Sequence, residues 1–267
     1  MTSDGSHPDV WANSDSYEPY VGRWSRLVAA EFLNWLELPV GSNWLDVGCG
    51  TGALSETILL LCDPGHLKGI DRSEGYVEYI RHKIRDDLAE FNVGDARNLP
   101  VESGTCDSAV SALVLNFVPE PDRMVSEMAR AVRSGGMVAL YVWDYAGKMQ
   151  LMRHFWNSAV ALDPSAYALD EGRTFPICDP AKLSDLFRGS GLQRIETRPI
   201  DISTDFKDFD DYWSPFLGGQ GPAPAYAMSL SEEKRGQLRE RLRASLPVAL
   251  DGSIPLVARA WAVRGTK

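Results

Sequence analysis

The segment Leu45-Asp46-Val47-Gly48-Cys49-Gly50-Thr51-Gly52 decides the fold prediction, because it reads as a buried strand that turns sharply into a helix. Glycines at such a turn let the backbone bend tightly and approach a ligand closely. The helix that follows presents unpaired N–H groups and the positive end of its dipole. The sequence therefore predicts a polar or anionic ligand above Gly48 and Gly50.

Short apolar runs alternate with helical periods on both sides of this turn. Strands are predicted at 44–47, 67–71, 90–93, 107–113, 137–142, 193–198 and 255–263, and helices at 53–61, 74–88 and 121–132. A further helix is predicted before the first strand, from Ser25 to Leu36, and a tight turn over Arg133–Gly136. Strands and helices that take turns predict βαβ units and an α/β fold with a parallel sheet.

The chain of 267 residues has the length of one α/β domain with insertions. We expect a mobile N-terminal arm over residues 1–16 and a single domain over 17–267. Two insertions are predicted to form a small cap over the site: an aromatic stretch without a clear period near 144–178, and a segment near 201–250 that contains a loop rich in proline and glycine and a helix.

Composition argues against several classes of partner. Acidic residues outnumber basic residues by 37 to 27, and the net charge of −10 makes nucleic acid an unfavoured partner. No apolar run approaches the roughly 20 residues that cross a bilayer, so we expect no membrane association and a cytoplasmic location. The four cysteines and four histidines lack metal-ligand spacing, so no metal is predicted, and the cysteines are expected to be reduced.

Three carboxylates follow three successive predicted strands. Asp46 would repel a pyrophosphate but attract an ammonium group through a charge-assisted hydrogen bond. The two oxygens of Asp71 suit a pair of ribose hydroxyls. Asp95 suits the amino group of an adenine, and Ala96 leaves room for the ring. The three together predict a nucleoside that carries an amino-acid group.

Two other functions stay open at this point. The turn also contains the pattern G-x-G-x-x-A, formed by Gly48, Gly50 and Ala53, so an NAD(P)-dependent oxidoreductase is an alternative. That alternative does not explain Asp46. A non-catalytic module that binds a nucleoside is the second alternative, and only a turnover assay separates it from an enzyme.

These motifs resemble those of class I S-adenosylmethionine-dependent methyltransferases, in particular the methyltransferase type 11 (ubiquinone/menaquinone-biosynthesis-like) group. The matching segments are Asp46–Gly52, Asp71–Ser73, Gly94–Ala96, Ala112–Phe117 and Arg130–Gly136. The resemblance implies a Rossmann-like, mostly parallel sheet of seven strands in the order 3-2-1-4-5-7-6, with helices on both faces. It implies S-adenosyl-L-methionine as the cofactor and methyl transfer to an oxygen, nitrogen or carbon of a small molecule. The implied cofactor contacts are Asp46, Gly48, Cys49, Gly50, Asp71, Arg72, Asp95, Ala96 and Leu113.

The segment Tyr17–Ser25 resembles the N-terminal segment of some members of that group. The similarity implies that Tyr20 and Arg23 close over the cofactor, with Arg23 facing its carboxylate. The alternative is that Tyr20 and Trp24 only pack against the first helix.

No catalytic residue is assigned, because methyl transfer from a sulfonium depends largely on held geometry. Asp144 and His154 are candidate bases by position, and Asn116 stands where many relatives have a histidine. The aromatic residues that could line an acceptor pocket are Trp143, Tyr145, Trp156 and Trp213. The acceptor and the choice between monomer and homodimer stay open.

Overall fold

A seven-stranded sheet in the order β3-β2-β1-β4-β5-β7-β6 forms the centre of the molecule. The computed structural model describes residues 23–218 and 221–267. The strands are β1 (Asn43–Val47), β2 (His66–Asp71), β3 (Ala89–Val93), β4 (Cys106–Ala112), β5 (Val132–Trp143), β6 (Gln193–Phe206) and β7 (Ile254–Thr266). The first five strands are parallel, and β7 runs antiparallel between β5 and β6. The predicted α/β class and strand order are confirmed.

Helices pack around the sheet. They are α1 (Arg23–Leu36), α2 (Ala53–Leu61), α3 (Glu74–Lys83), α4 (Pro121–Ala131), α5 (Gln150–Leu162), α6 (Glu171–Thr174), α7 (Pro180–Gly189), α8 (Phe209–Trp213), α9 (Pro222–Ser229) and α10 (Glu232–Ser245). The helix before the first strand is confirmed, because the apolar face of α1 buries Val28, Phe32 and Leu36. None of the helices in the described part of the chain combines the length and apolar character that spanning a membrane requires.

The last two strands extend past the carboxyl edge of the sheet. β5 pairs with β7 only from Ala260 to Thr266, whereas β6 pairs with β7 as far as Ile254. The remaining half of this antiparallel pair therefore rises beyond the end of β5. It carries α8, α9 and α10 between its strands, and α5 packs against it.

Three sequence predictions need correction. The helix predicted over 74–88 ends at Lys83, because Ile84 is extended and the Asp86 carboxylate accepts a hydrogen bond from the Leu88 N–H in a local turn. The turn predicted over 133–136 lies inside β5, which pairs with Cys106 of β4 across a bulge. β6 is eight residues longer than predicted, since its pairing with β7 continues past the end of β5.

Candidate active site

A cavity of about 290 Å³ opens at the carboxyl end of the parallel strands. Its lining comes from the turns that follow β1, β2 and β3, and from the ends of β4 and β5. The carboxyl edge of an open parallel sheet is where such folds bind ligands. The cavity is therefore the candidate active site.

The glycine turn after β1 brings its backbone directly to the cavity. Gly48 has a φ of +79°, and a Cβ at this position would lie 2.4 Å from a methyl carbon of Val114. Its N–H donates a hydrogen bond of 2.7 Å to the carbonyl of Ile70, at the end of β2. Only glycine fits both the conformation and the space, so a larger residue would displace the turn.

Asp71 connects this turn to the next one. Its carboxylate accepts a hydrogen bond from the Gly50 N–H at 2.9 Å and another from the Ser73 N–H at 2.9 Å. Each carboxylate oxygen can accept more than one hydrogen bond, and Asp71 lines the cavity. The side chain therefore holds two turns in place and also suits a pair of ligand hydroxyls.

Asp46 is fully buried and does not belong to the cavity lining. One carboxylate oxygen accepts a hydrogen bond of 2.6 Å from the Ser55 hydroxyl, and the other has no hydrogen-bond partner in the described structure. Burial raises the pKa of this carboxyl to about 7, with a smaller contribution from the nearby charge of Asp71. The predicted bond between Asp46 and an ammonium group stays a prediction.

Asp95 lines the cavity in an ion pair that the sequence did not suggest. Its two oxygens accept hydrogen bonds from the side chain of Arg97 at 2.7–3.2 Å, and one also accepts from the Arg97 N–H at 2.8 Å. The Arg97 guanidinium lowers the pKa of this carboxyl. Arg97 reaches Glu120 as well, at 3.3 Å, so the adenine role of Asp95 stays a prediction that must include these partners.

The ends of β4 and β5 form the opposite part of the lining. Leu113 has a φ of +61°, which is uncommon for a residue with a side chain, and its N–H donates to the Tyr141 carbonyl at 2.9 Å. Tyr141 and Trp143 are alternate residues of β5, so both side chains lie on the same face of the sheet. Tyr145 follows in the loop, and all three aromatic residues are buried and line the cavity.

Most of the predicted cofactor contacts meet in this cavity. The predicted residues in its lining are Gly48, Cys49, Gly50, Asp71, Arg72, Asp95, Ala96 and Leu113. Tyr20 lies outside the described residues, and the structure describes only the backbone of Arg23. Their predicted roles stay predictions.

The two candidate bases lie outside the lining. The carboxylate of Asp144 accepts hydrogen bonds from the N–H groups of Gly147 and Lys148, at 3.0 and 2.9 Å, so it stabilises the turn that begins at Asp144. His154 is half-buried in α5, and burial lowers its pKa. Asn116 is also outside the lining, and its side-chain nitrogen is buried with no hydrogen-bond partner in the described structure.

The four aromatic residues predicted to line an acceptor pocket fall into two pairs. Trp143 and Tyr145 line the cavity, whereas Trp156 and Trp213 pack in the core. Trp156 donates a hydrogen bond of 2.7 Å from its indole N–H to the carboxyl of Glu171, which is also fully buried. Burial raises the pKa of Glu171 to about 7. This pair therefore has a structural role in the segment between β5 and β6.

Several lining residues were missed at the level of sequence. They are Ser25, Tyr76, Arg97, Phe117 and Tyr141. The period-two pattern with Trp143 could have identified Tyr141. No local signal identifies Ser25, because α1 reaches the cavity only through tertiary packing, where the Ser25 carbonyl accepts a long hydrogen bond of 3.5 Å from the Tyr141 hydroxyl.

Comparison with known proteins points to the same part of the fold. Residues 45–140, from β1 to β5, match the family model described as a methyltransferase domain. The chain carries a class I methyltransferase domain. The resemblance seen in the motifs is thus confirmed, and the cofactor of this class is S-adenosylmethionine.

Individual relatives extend the similarity beyond the methyltransferase domain model. An uncharacterised protein from a transposon of Streptomyces fradiae is 32% identical over 219 residues, which cover 73% of this chain and 61% of that protein. A tRNA carboxymethyluridine methyltransferase of Mus musculus is 37% identical over 123 residues, which cover 45% of this chain. The chain spans 17% and 61% of the lengths of the mouse and Streptomyces proteins.

A solved structure shows the same fold. The phosphoethanolamine N-methyltransferase 2 of Haemonchus contortus, in complex with S-adenosyl-L-methionine, superposes on 97% of this chain with a TM-score of 0.59. The sequence identity is 15%, and the match covers 56% of that protein. At this identity the likeness supports the fold of the methyltransferase domain.

The polar groups and the glycine turn at the site of the methyltransferase domain suit S-adenosylmethionine. Asp71 presents its carboxylate at the cavity wall, and the absence of a Cβ at Gly48 lets the backbone of the turn pack against Val114 at this wall. Beneath the turn, the unpaired oxygen of Asp46 is a buried acceptor that a nearby positive charge would stabilise. No set of three His, Cys, Asp or Glu side chains in the described ranges is arranged to hold a metal ion.

Proposed function

We propose that this protein binds S-adenosyl-L-methionine in the cavity and transfers its methyl group to a small molecule. The observation that carries the proposal is the convergence of Asp71, Asp95 and the glycine turn on one cavity. The family of the domain supports the same activity.

Different residues would hold different parts of the cofactor. Asp71 would accept hydrogen bonds from the ribose hydroxyls while it keeps its bonds to the Gly50 and Ser73 N–H groups. Asp95 and Ala96 would contact the adenine. The buried carboxylate of Asp46 would attract the ammonium group from beneath the glycine turn. We further propose that Tyr20 and Arg23 close over the cofactor.

When bound, S-adenosyl-L-methionine supplies a methyl group on a positively charged sulfur, which needs no further activation. The chain then has to hold the acceptor in line and to exclude water. The buried rings of Tyr141, Trp143 and Tyr145 provide a dry wall for that purpose. No base is assigned, since Asp144 and His154 lie outside the lining.

The ribose assignment can be tested with one substitution and two ligands. Asp71→Asn should weaken the binding of S-adenosylhomocysteine by about 1–3 kcal/mol, because an amide cannot accept at both positions. The same substitution also weakens the two turns, so affinity alone does not identify the role. The control is an S-adenosylhomocysteine analogue without ribose hydroxyls, measured by calorimetry on both proteins.

Wild-type protein should prefer the natural ligand over this analogue, and Asp71→Asn should lose most of that preference. An equal preference in both proteins would assign Asp71 to the turns alone. Binding of NADH in place of S-adenosylhomocysteine would favour the oxidoreductase alternative. Binding of S-adenosylhomocysteine without methylation of any acceptor would favour the non-catalytic module.

A small-molecule acceptor is proposed over nucleic acid because of charge. The net charge of −10 opposes the approach of a phosphate backbone, although the mouse relative is a tRNA methyltransferase. Incubation with S-adenosylmethionine and either total tRNA or a metabolite extract separates the two. A methyl-sized mass gain confined to the tRNA would contradict the proposal.

A further inference from the structure

The cavity lining has two chemically different halves. The half formed after β1, β2 and β3 carries all of its Asp and Arg side chains, namely Asp71, Arg72, Asp95 and Arg97. We call the half formed by the ends of β4 and β5 and the residues that follow them the aromatic half, and it consists of Ala112, Leu113, Val114, Phe117, Val118, Pro119, Tyr141, Trp143 and Tyr145. In the part of the chain with described side chains, this half contains no Asp, Glu, Lys, Arg or His.

Phe175, which lies outside the cavity lining, supports two rings of the aromatic half. Phe175 contacts Phe117 edge to face, with 5.1 Å between ring centroids and an angle of 78°. The same ring contacts Tyr145 at 5.4 Å. Since Phe175 bridges two lining rings, it fixes the spacing of the wall against which an acceptor would lie.

Two acids, Glu120 and Asp144, directly follow residues of this half, but neither lines the cavity, and Glu120 pairs with Arg97 at 3.3 Å. Asp144 directly follows Trp143, but its two oxygens accept the N–H groups of Gly147 and Lys148. Gly147 lies so close that a Cβ there would be 2.5 Å from the Asp144 carboxylate. The turn therefore keeps this carboxylate occupied outside the cavity lining.

Such an environment selects strongly against charge on the acceptor. A carboxylate or phosphate placed among these side chains would lose its water without gaining a counterion from the aromatic half. An aromatic ring would instead gain edge-to-face and stacking contacts with Phe117, Trp143 and Tyr145. A saturated ring of the same size would gain only part of these contacts.

We propose that the aromatic half binds a flat aromatic acceptor that bears no charged group apart from the reacting atom. This inference rests on the proposed methyltransferase function. In the reaction, a lone pair of the acceptor atom forms the bond to the methyl carbon. The bond between that carbon and sulfur breaks, and its electron pair stays on sulfur, which becomes a neutral thioether. A proton carried by the acceptor atom leaves to water.

Binding of three matched probes to protein saturated with S-adenosylhomocysteine tests this inference without requiring turnover. The probes are naphthol, the corresponding naphthoate and decahydronaphthol, which represent a neutral aromatic ring, a charged aromatic ring and a saturated ring. We expect naphthol to bind at least about tenfold more tightly than the other two, as measured by calorimetry. Failure of S-adenosylhomocysteine itself to bind would contradict the proposed function, and would be seen before any probe is added.

A charge placed in the aromatic half should reverse the selectivity. Val118→Lys is expected to improve naphthoate binding by about tenfold relative to naphthol, because it supplies the missing counterion. Val118→Met adds similar length without charge and should keep the wild-type order of affinities. The inference is overturned if wild-type protein binds naphthoate or decahydronaphthol as tightly as naphthol, or binds none of the three. An unchanged ratio in a folded Val118→Lys protein would overturn it as well.

Discussion

Replacing Asp46 by asparagine should make the protein more stable at alkaline pH. The carboxyl is fully buried, has one hydrogen bond from the Ser55 hydroxyl, and leaves its other oxygen without a partner in the described structure. Burial raises its pKa from the ordinary value of 3.8 to about 7. The folded protein therefore holds this proton more tightly than the unfolded chain, and stability is lost as the pH rises from about 4 to about 7.

The size of the effect follows from the two pKa values. A difference of about 3 pKa units corresponds to about 4 kcal/mol of lost stability once the carboxyl is ionised in both states. The sequence pI is 4.9, so measurements should begin above it, at about pH 5.5. Between about pH 5.5 and about pH 8.5 the penalty should grow by roughly 2 kcal/mol in wild-type protein. Asp46→Asn does not ionise and removes that growth.

Urea unfolding at the two pH values measures this difference directly. Relative to wild type, Asp46→Asn should gain roughly 2 kcal/mol more at the higher pH than at the lower one. Asp107→Asn is the matched control, because hydrogen bonds from the Asn43 N–H and from Arg133 lower the pKa of Asp107. Its contribution is lost only in strong acid, so its change in stability should be equal at both pH values. A pH-independent effect of Asp46→Asn would refute the reasoning.

Two further predictions concern the packing at Gly48 and the buried pair of Trp156 and Glu171. Gly48→Ala should abolish cofactor binding and cost about 1–3 kcal/mol of stability, because its Cβ would overlap Val114 in a strained conformation. In Gly50→Ala the new Cβ meets no atom closer than 4.0 Å, so the loss should be smaller. Thermal melts of both variants with and without S-adenosylhomocysteine measure the two effects. Equal losses in the two variants would contradict the steric argument. Trp156→Phe removes the donor to Glu171, so the loss of stability should be larger at about pH 8.5 than at about pH 5.5 by about 1 kcal/mol in urea unfolding. An equal loss at both pH values would show that Glu171 stays protonated throughout.

The parallel half of the sheet was predictable because its signals are local. The apolar runs that became β1 and β2 are bounded by turn residues, and each carries an aspartate near its end that marks the carboxyl edge. Asp71 and Asp95 could therefore be assigned to one cavity from the sequence alone. The outer half of β6 was not predicted, although Ile200, Ile202 and Phe206 alternate with exposed residues, because the predicted strand ends before Pro199, and proline is mostly confined to edge strands and strand ends.

The site residues likewise divide into those predictable from local sequence and those that depend on tertiary packing. Its glycine turn and its strand-end acids follow from residue type and position, because φ values and strand periodicity are properties of short segments. The full burial of Asp46, the pairing of Asp95 with Arg97 and the support of Tyr145 by Phe175 depend on which elements pack together.

The amino-acid sequence by itself determined the α/β class, the ligand-binding edge and the family of the domain, because these depend on periodicity and on short motifs. Tertiary structure alone decided which aromatic residues face the cavity and which fill the core. Trp143 and Trp156 are the same residue type and both are buried, yet only Trp143 lines the site. The reason is that exposure to a cavity depends on contacts between segments far apart in the chain, which no local pattern encodes.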